Sequence, residues 1–142
     1  MLSVDTNILF AALEATAPRH ERARAFLESH RDNDSMVICE LVLVELYLLL
    51  RNPAVVTTPL SAGNAGRLIG ALRHNPKWRL VENAAVMDKV WEHAGHDPFA
   101  RRKLIDVRLA LTLRHHGVTE FATVNGSDFQ DVGFRKVWNP LT

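Results

Sequence analysis

Cysteine is nearly absent: Cys39 is the single one in 142 residues. No disulfide can form within the chain, and a lone thiol among apolar neighbours fits a reduced, cytoplasmic setting. Long hydrophobic runs are also missing. The longest, Leu41 to Leu50, is broken by Glu45 and falls well short of the roughly 20 residues a membrane helix needs. The opening Met-Leu-Ser-Val-Asp has neither the basic start nor the apolar stretch of a secretory signal. Neither sign of charge dominates, since 17 Lys and Arg face 16 Asp and Glu for a net charge of +1. That balance neither demands nor excludes a nucleic-acid partner, so any such binding falls to local patches. Aromatics make up only 7%, and Trp78, Trp91 and Trp138 suit core or interface positions better than base-stacking platforms. With no repeat, low-complexity tract or linker, the expectation is one soluble, cytoplasmic domain over residues 1–142.

What the chain does have is 47% hydrophobic residues, enough for a packed core, in segments whose pattern alternates between strand and helix. Leu2-Ser3-Val4 reads as a short strand, followed by the capping residues Asp5-Thr6-Asn7 and a helix from Ile8 to Ala15. Pro18 can open a second helix running to about His30. Met36-Val37-Ile38 is a buried type of strand, and Glu40–Leu50 is a helix ended by Asn52-Pro53. Ser61 caps a helix to Arg73, and Trp78–Val81 is a strand. Asn83 caps a helix from Ala84 to His93, with Gly95 closing it. A helix follows from about Lys103 to His116, with Gly117 just past its end. Phe121–Val124 is a strand, Asn125–Asp128 a turn and Arg135–Trp138 the last strand. Strands alternating with helices imply an α/β fold with a central, mainly parallel sheet flanked by helices.

Ligand sites in such folds form beyond the carboxyl ends of the strands, and acidic residues occur at that level. Asp5 ends the first strand, Glu45 lies on the helix after the second, and Asp106 lies in the first turns of the helix feeding the Phe121–Val124 strand. Asn125 and Asp128 lie just past that strand. Glu45 is the most informative, because a helix apolar on nearly every face reads as buried, and a buried carboxylate needs a cation or a raised pKa. Asp5 and Asp106 each have a simpler alternative, as a helix cap and as a partner of the helix dipole. As a group they are harder to explain that way. Two carboxylates about 4 Å apart repel by roughly 4 kcal/mol at an effective dielectric of 20, which favours a shared divalent cation. An all-oxygen donor set suits Mg²⁺ or Mn²⁺ rather than Zn²⁺.

Val4-Asp5-Thr6-Asn7-Ile8-Leu9 resembles the opening of PIN-domain nucleases, and Leu43-Val44-Glu45-Leu46-Tyr47 resembles that family's second acidic motif. Asp106-Val107-Arg108-Leu109-Ala110, then Gly117, then Phe121–Asn125 with Asp128-Phe129, resembles the third and fourth. The motifs come in order over residues 1 to about 129, and the chain's brevity points to the VapC-type toxins. The resemblance implies a three-layer α/β fold and a Mg²⁺- or Mn²⁺-dependent endoribonuclease cleaving single-stranded or loop RNA. It also implies a homodimer held in check by a cognate antitoxin protein. Many members carry Asp where Asn125 stands here, so the fourth acidic role is open between Asn125 and Asp128. Asp5, Glu45 and Asp106 rank first as metal and catalytic residues and Asp128 second. Thr6 and Thr123 are candidate supports for the carboxylates.

Arg101-Arg102-Lys103, just before Asp106, could hold RNA phosphates, although three cations at a helix start oppose its dipole. Glu40 fits a helix-dipole role better than the acidic site. Two alternatives remain in view. One is a phosphotransfer module of the same α/β class, against which Asp5 lacks a second Asp two residues on. The other is a catalytically silent RNA- or protein-binding member of the fold.

Overall fold

The computed structural model describes residues 1–142. Elements follow in the order β1 (Leu2–Val4), α1 (Thr6–Leu13), α2 (His20–Ser29), β2 (Met36–Cys39), α3 (Glu40–Leu50), α4 (Ala62–Arg73), β3 (Arg79–Val81), α5 (Met87–Ala94), α6 (Leu104–His115), β4 (Glu120–Ala122) and β5 (Lys136–Trp138). Two 3-10 turns, Arg101–Lys103 and Gly126–Phe129, precede α6 and follow β4.

The expected α/β architecture is present, and the sheet is parallel throughout, with strand order β3-β2-β1-β4-β5. Every residue of β1 and β2 is buried, as strands covered by helices on both faces must be. The register sets Leu2 between Met36 of β2 and Glu120 of β4. The helices form two groups: α1 packs on α2 and α3, and α3 on α4, while α5 packs on α6. The main core gathers Val4, Ile8, Leu9, Ile38, Leu43, Leu46, Leu109, Leu113 and Phe121, all nearly inaccessible. A smaller cluster of Val86, Val90 and Val107 joins α5 to α6.

Several local expectations hold in atomic detail. Asp5 caps α1 through Thr6 N–H, and Ser61 caps α4 through Asn64 N–H. Gly117 takes a left-handed φ of 87°. Its N–H donates to the Arg114 carbonyl at 3.0 Å, and Val118 N–H to the Leu113 carbonyl at 3.0 Å. This paired closure of α6 favours a residue without a Cβ.

Others are displaced, each for a visible reason. α2 starts at His20 rather than at Pro18, because Arg19 adopts a left-handed backbone (φ 61°) while its guanidinium donates to the Leu141 carbonyl. Asn83 caps nothing. Ala84 N–H instead donates to the Thr112 hydroxyl at 3.4 Å, and α5 begins only at Met87 after an N-cap, Val86, that makes no side-chain bond. The strand read as Phe121–Val124 ends at Ala122. The cations Arg101–Lys103 form a 3-10 turn of their own ahead of α6. Helix α3, read as buried on nearly all sides, leaves Val44 52% and Leu48 61% exposed. Its apolar composition reflects an uncovered face as well as a core face.

Candidate acidic site

β1 and β4 are hydrogen-bonded neighbours, yet between them the chain visits β2 and β3. The strand order therefore reverses direction between β1 and β4, and beyond their carboxyl ends lies the natural crevice of a parallel sheet. Asp5 leaves β1 at that edge and Thr123 leaves β4 beside it. The two meet: the Thr123 hydroxyl donates to Asp5 Oδ2 at 2.7 Å. Thr6 N–H donates to Asp5 Oδ1 at 2.8 Å, and Asn7 Nδ2 to Asp5 Oδ2 at 3.3 Å. Asp5 is thus both the helix cap and an oriented, buried carboxylate. The two readings of this residue were never exclusive.

Asn7 does more than form the capping turn. Its amide joins the two strand ends, donating also to Thr123 Oγ1 at 3.4 Å while its Oδ1 accepts from Val124 N–H at 3.3 Å. The sequence signal was available in its position two residues beyond Asp5, on the same capping turn. Thr123 is itself held from below, with its N–H donating to the Trp138 carbonyl at 2.9 Å and its hydroxyl accepting from Asn125 N–H at 3.0 Å.

The remaining acids arrive from helices. Glu45 projects from the second turn of α3 and Asp106 from the first turn of α6, both half-buried. Burial raises the pKa of Glu45, and the charges of Asp5 and Asp106 raise it further, against a lowering hydrogen bond from Thr6. Burial, then the Asp5 and Asp128 charges, push Asp106 up to about 6, with Arg102 and Lys103 pulling the other way. Asp5 is raised chiefly by burial, offset by its bonds from Thr123, Thr6 and Asn7, and raised again by Asp128. Asp5, Asp106 and Asp128 therefore lie within one another's fields, and Glu45 in those of Asp5 and Asp106. They do not close around a single point, for no three acidic, His or Cys side chains converge as one ion's ligand shell in this conformation.

Asn125 is exposed and donates its backbone N–H to the Thr123 hydroxyl. Asp128, by contrast, reaches the cluster electrostatically and accepts from Arg102 Nη1 at 2.9 Å. Lys103 acts on Asp106 through its charge alone, and Arg101 flanks Arg102 in the same 3-10 turn. Glu40 is held by Arg73 at 2.7 Å and stands apart from the acids. A cavity of about 550 Å³ lies elsewhere, lined by Val86, Lys89, Arg114 and His115 among others, and contains none of the four acids.

The donor chemistry fits a hard divalent cation: the groups are carboxylate oxygens, and the charged states of Asp5, Glu45 and Asp106 are held back by burial and repulsion that such a cation would offset. Thr123→Val keeps the shape of the buried side chain and removes the donor to Asp5. A 10- to 100-fold loss in affinity for Mn²⁺ is expected, the usual effect of losing a group that orients a ligand, and titration calorimetry would measure it. The packing beneath the site is equally specific. Phe129, next to Asp128, lies 4.8 Å from the Phe121 ring, which stacks on Phe134 at 5.2 Å. Phe129 is 1% exposed, so Phe129→Ala should cost about 3–5 kcal/mol in denaturant unfolding and loosen the turn that carries Asp128.

An all-parallel α/β sheet with carboxylates at its switch point defines a class of α/β proteins with an acidic site beyond the carboxyl ends of the strands. The chain belongs to one family within it, since residues 2–135 match the PIN-domain model. Across 142 residues it is 53% identical to Ribonuclease VapC24 of Mycobacterium tuberculosis, covering all of this chain and 98% of the relative. The fold is that of Mycobacterium tuberculosis VapC20, described as a sarcin-ricin loop cleaving toxin. The TM-score there is 0.72 at 21% identity, covering 94% of this chain and 96% of that one. It is also that of FitAcB from Neisseria gonorrhoeae, with a TM-score of 0.64 at 22% identity over 99% and 98% of the two chains.

Proposed function

We propose that this protein is a divalent-cation-dependent endoribonuclease that serves as the toxin of a toxin–antitoxin pair. Ribonuclease activity follows from PIN-family membership and full-length identity to a named ribonuclease. The observation that carries the cation dependence is the mutual charge coupling of Asp5, Glu45 and Asp106 at the sheet's switch point. These three side chains would hold Mg²⁺ or Mn²⁺. Such an ion, when bound, makes a water a better nucleophile near neutral pH and offsets the charge of a phosphodiester.

The protein's own groups do the positioning. Thr123, Asn7 and the Thr6 N–H fix the direction of the Asp5 oxygens. The cationic turn Arg101–Lys103 supplies positive charge beside an otherwise acidic site, where the backbone of an RNA chain must arrive. Single-stranded or looped RNA fits best, because its backbone can bend into a crevice at a sheet edge.

An antitoxin and a second copy of the chain are the proposed protein partners. The exposed Val44 and Leu48 face of α3 would suit one of these contacts. No helix is long and apolar enough to cross a membrane, and the proposed location is the cytoplasm. The test is cleavage of a short RNA by purified protein in chelator, followed by adding back Mg²⁺ or Mn²⁺. Cleavage should stop and return, whereas undiminished cleavage in chelator would sink the reading.

A further inference from the structure

The pair Arg102–Asp128 is the one ion pair at the rim of the acidic site. Its two residues come from separate 3-10 turns, Arg101–Lys103 ahead of α6 and Gly126–Phe129 beyond β4. We propose that Asp128 is the anchor of Arg102 rather than a ligand of the ion, and that the pair holds the Arg102 guanidinium at the mouth of the site as a clamp for an RNA phosphate. The proposal rests on the three-carboxylate reading above and deepens it.

The asymmetry of the pair carries the argument. The Asp128 side chain is only 12% exposed and the Arg102 side chain 70%. The carboxylate is therefore part of the wall, while the guanidinium faces outward. Nη1 is committed to Asp128 at 2.9 Å, and no other protein group accepts from this guanidinium. Its remaining N–H donors are available in the planar fork that matches a phosphate.

A structural role explains the pair poorly. A single ion pair with one partner this exposed contributes little to stability. Three successive cations ahead of α6 oppose the helix dipole, so their placement does not serve the helix itself. Ligation by Asp128 fares no better, because its charge is already answered by Arg102, and a fixed cation at that spot would compete with a metal ion. Arg102 also stands close enough to Asp106 for each to favour the other's charged form. That places the guanidinium beside the group proposed to hold the ion, where a phosphate bridging both would sit.

The test compares full-length wild type with Arg102→Ala, Arg102→Lys, Asp128→Asn and, as a control, Asp5→Asn. The readouts are Mn²⁺ affinity by calorimetry, KM and kcat on a short RNA, and the salt dependence of RNA binding. Arg102→Ala and Asp128→Asn should each raise KM roughly tenfold, as befits loss of one hydrogen bond to a charged group, with kcat nearly unchanged. Both should leave Mn²⁺ affinity within about threefold, and their double variant should be no worse than either alone. Arg102→Ala should lower the salt slope by about 0.7, the loss of one phosphate contact on a single strand. Arg102→Lys should keep that slope and recover part of the KM.

Asp128→Asn weakening Mn²⁺ binding as Asp5→Asn does would make Asp128 a ligand and overturn the proposal. Unchanged KM and salt slope in Arg102→Ala would overturn it too. Should Asp5→Asn itself keep full Mn²⁺ affinity, the three-carboxylate reading fails instead, and the Arg102 clamp is still decided by KM and the salt slope.

Discussion

Asp106→Asn is expected to remove RNA cleavage by more than about 100-fold, beyond the loss usual for a merely supporting residue, while leaving the protein folded and, in chelator at neutral pH, at least as heat-resistant as wild type. The two halves of this expectation have one cause. Asp106 is a half-buried carboxylate beside Asp5 and Asp128, and its pKa of about 6 records that the folded protein resists its charge. Asn has nearly the same shape, stays neutral and can still occupy the first turn of α6. The substitution therefore relieves repulsion in the metal-free protein and at the same time removes one of the oxygens proposed to hold the cation. A residue kept for stability would show the opposite pattern, with melting temperature and activity falling together. Gel-based cleavage of a short RNA and a thermal melt in chelator read out the two halves. Undiminished cleavage by the variant would remove Asp106 from the catalytic set.

Asp5→Asn makes a useful contrast. Asp5 accepts from Thr6 N–H, Thr123 and Asn7 together. An amide there can still cap α1, but it turns one acceptor into a donor among groups that already donate. Activity should fall as far as in Asp106→Asn, without the gain in heat resistance.

Most of this architecture was legible because strand and helix periods are properties of short segments. Met36–Cys39 and Glu40–Leu50 differ in length and in branching, and each became what its residues favour. The misplaced boundaries were decided from a distance. The start of α2 depends on Arg19 reaching Leu141, and the failure of Asn83 to cap depends on Thr112 taking the Ala84 N–H. Nothing near Pro18 or Asn83 in sequence announces those partners.

The site divides the same way. Asp5, Glu45 and Asp106 could be picked out by residue type and position relative to strand ends, and each lies within the electrostatic reach of the other two without closing around one point. Glu45 does not sit on a wholly buried helix, since Val44 beside it is exposed. What drives Glu45 to resist its charge is partial burial together with Asp5 and Asp106. The roles of Asn7 and of the Arg102–Asp128 pair are tertiary facts. Asn7 acts across to Thr123 on another strand, and Arg102 is joined to Asp128 only because two turns on either side of α6 and β4 face the same crevice. A run of three cations reads as a phosphate-binding patch, but which of them is fixed, and by what, depends on the fold.

The second large effect is on stability, and its sign depends on pH and metal together. The folded-state pKa of Asp106, about 6, lies above its ordinary 3.8, and those of Asp5 and Glu45 are raised as well. In chelator the folded protein therefore holds protons that the unfolded chain has released, at Asp106 between about pH 4 and 6. Stability falls wherever the native state binds more protons. Asp106 should weaken the metal-free protein progressively as pH rises from about 4 through 6, with its full penalty in place above that, and Asp5 and Glu45 act in the same direction. Mn²⁺ reverses the balance, because it binds the deprotonated cluster and must displace protons to do so. At pH 7.5 a hundredfold excess of Mn²⁺ over its dissociation constant adds about 2.7 kcal/mol, a rise in melting temperature of about 8 °C for a chain of this size. At pH 5 the same concentration should give a much smaller rise, since protons then occupy the site in competition. Asp106→Asn should flatten the chelator profile and lose most of the Mn²⁺ shift in one step. A wild-type shift of equal size at both pH values would mean that Mn²⁺ binds elsewhere, and the charge coupling of Asp5, Glu45 and Asp106 would then need another explanation.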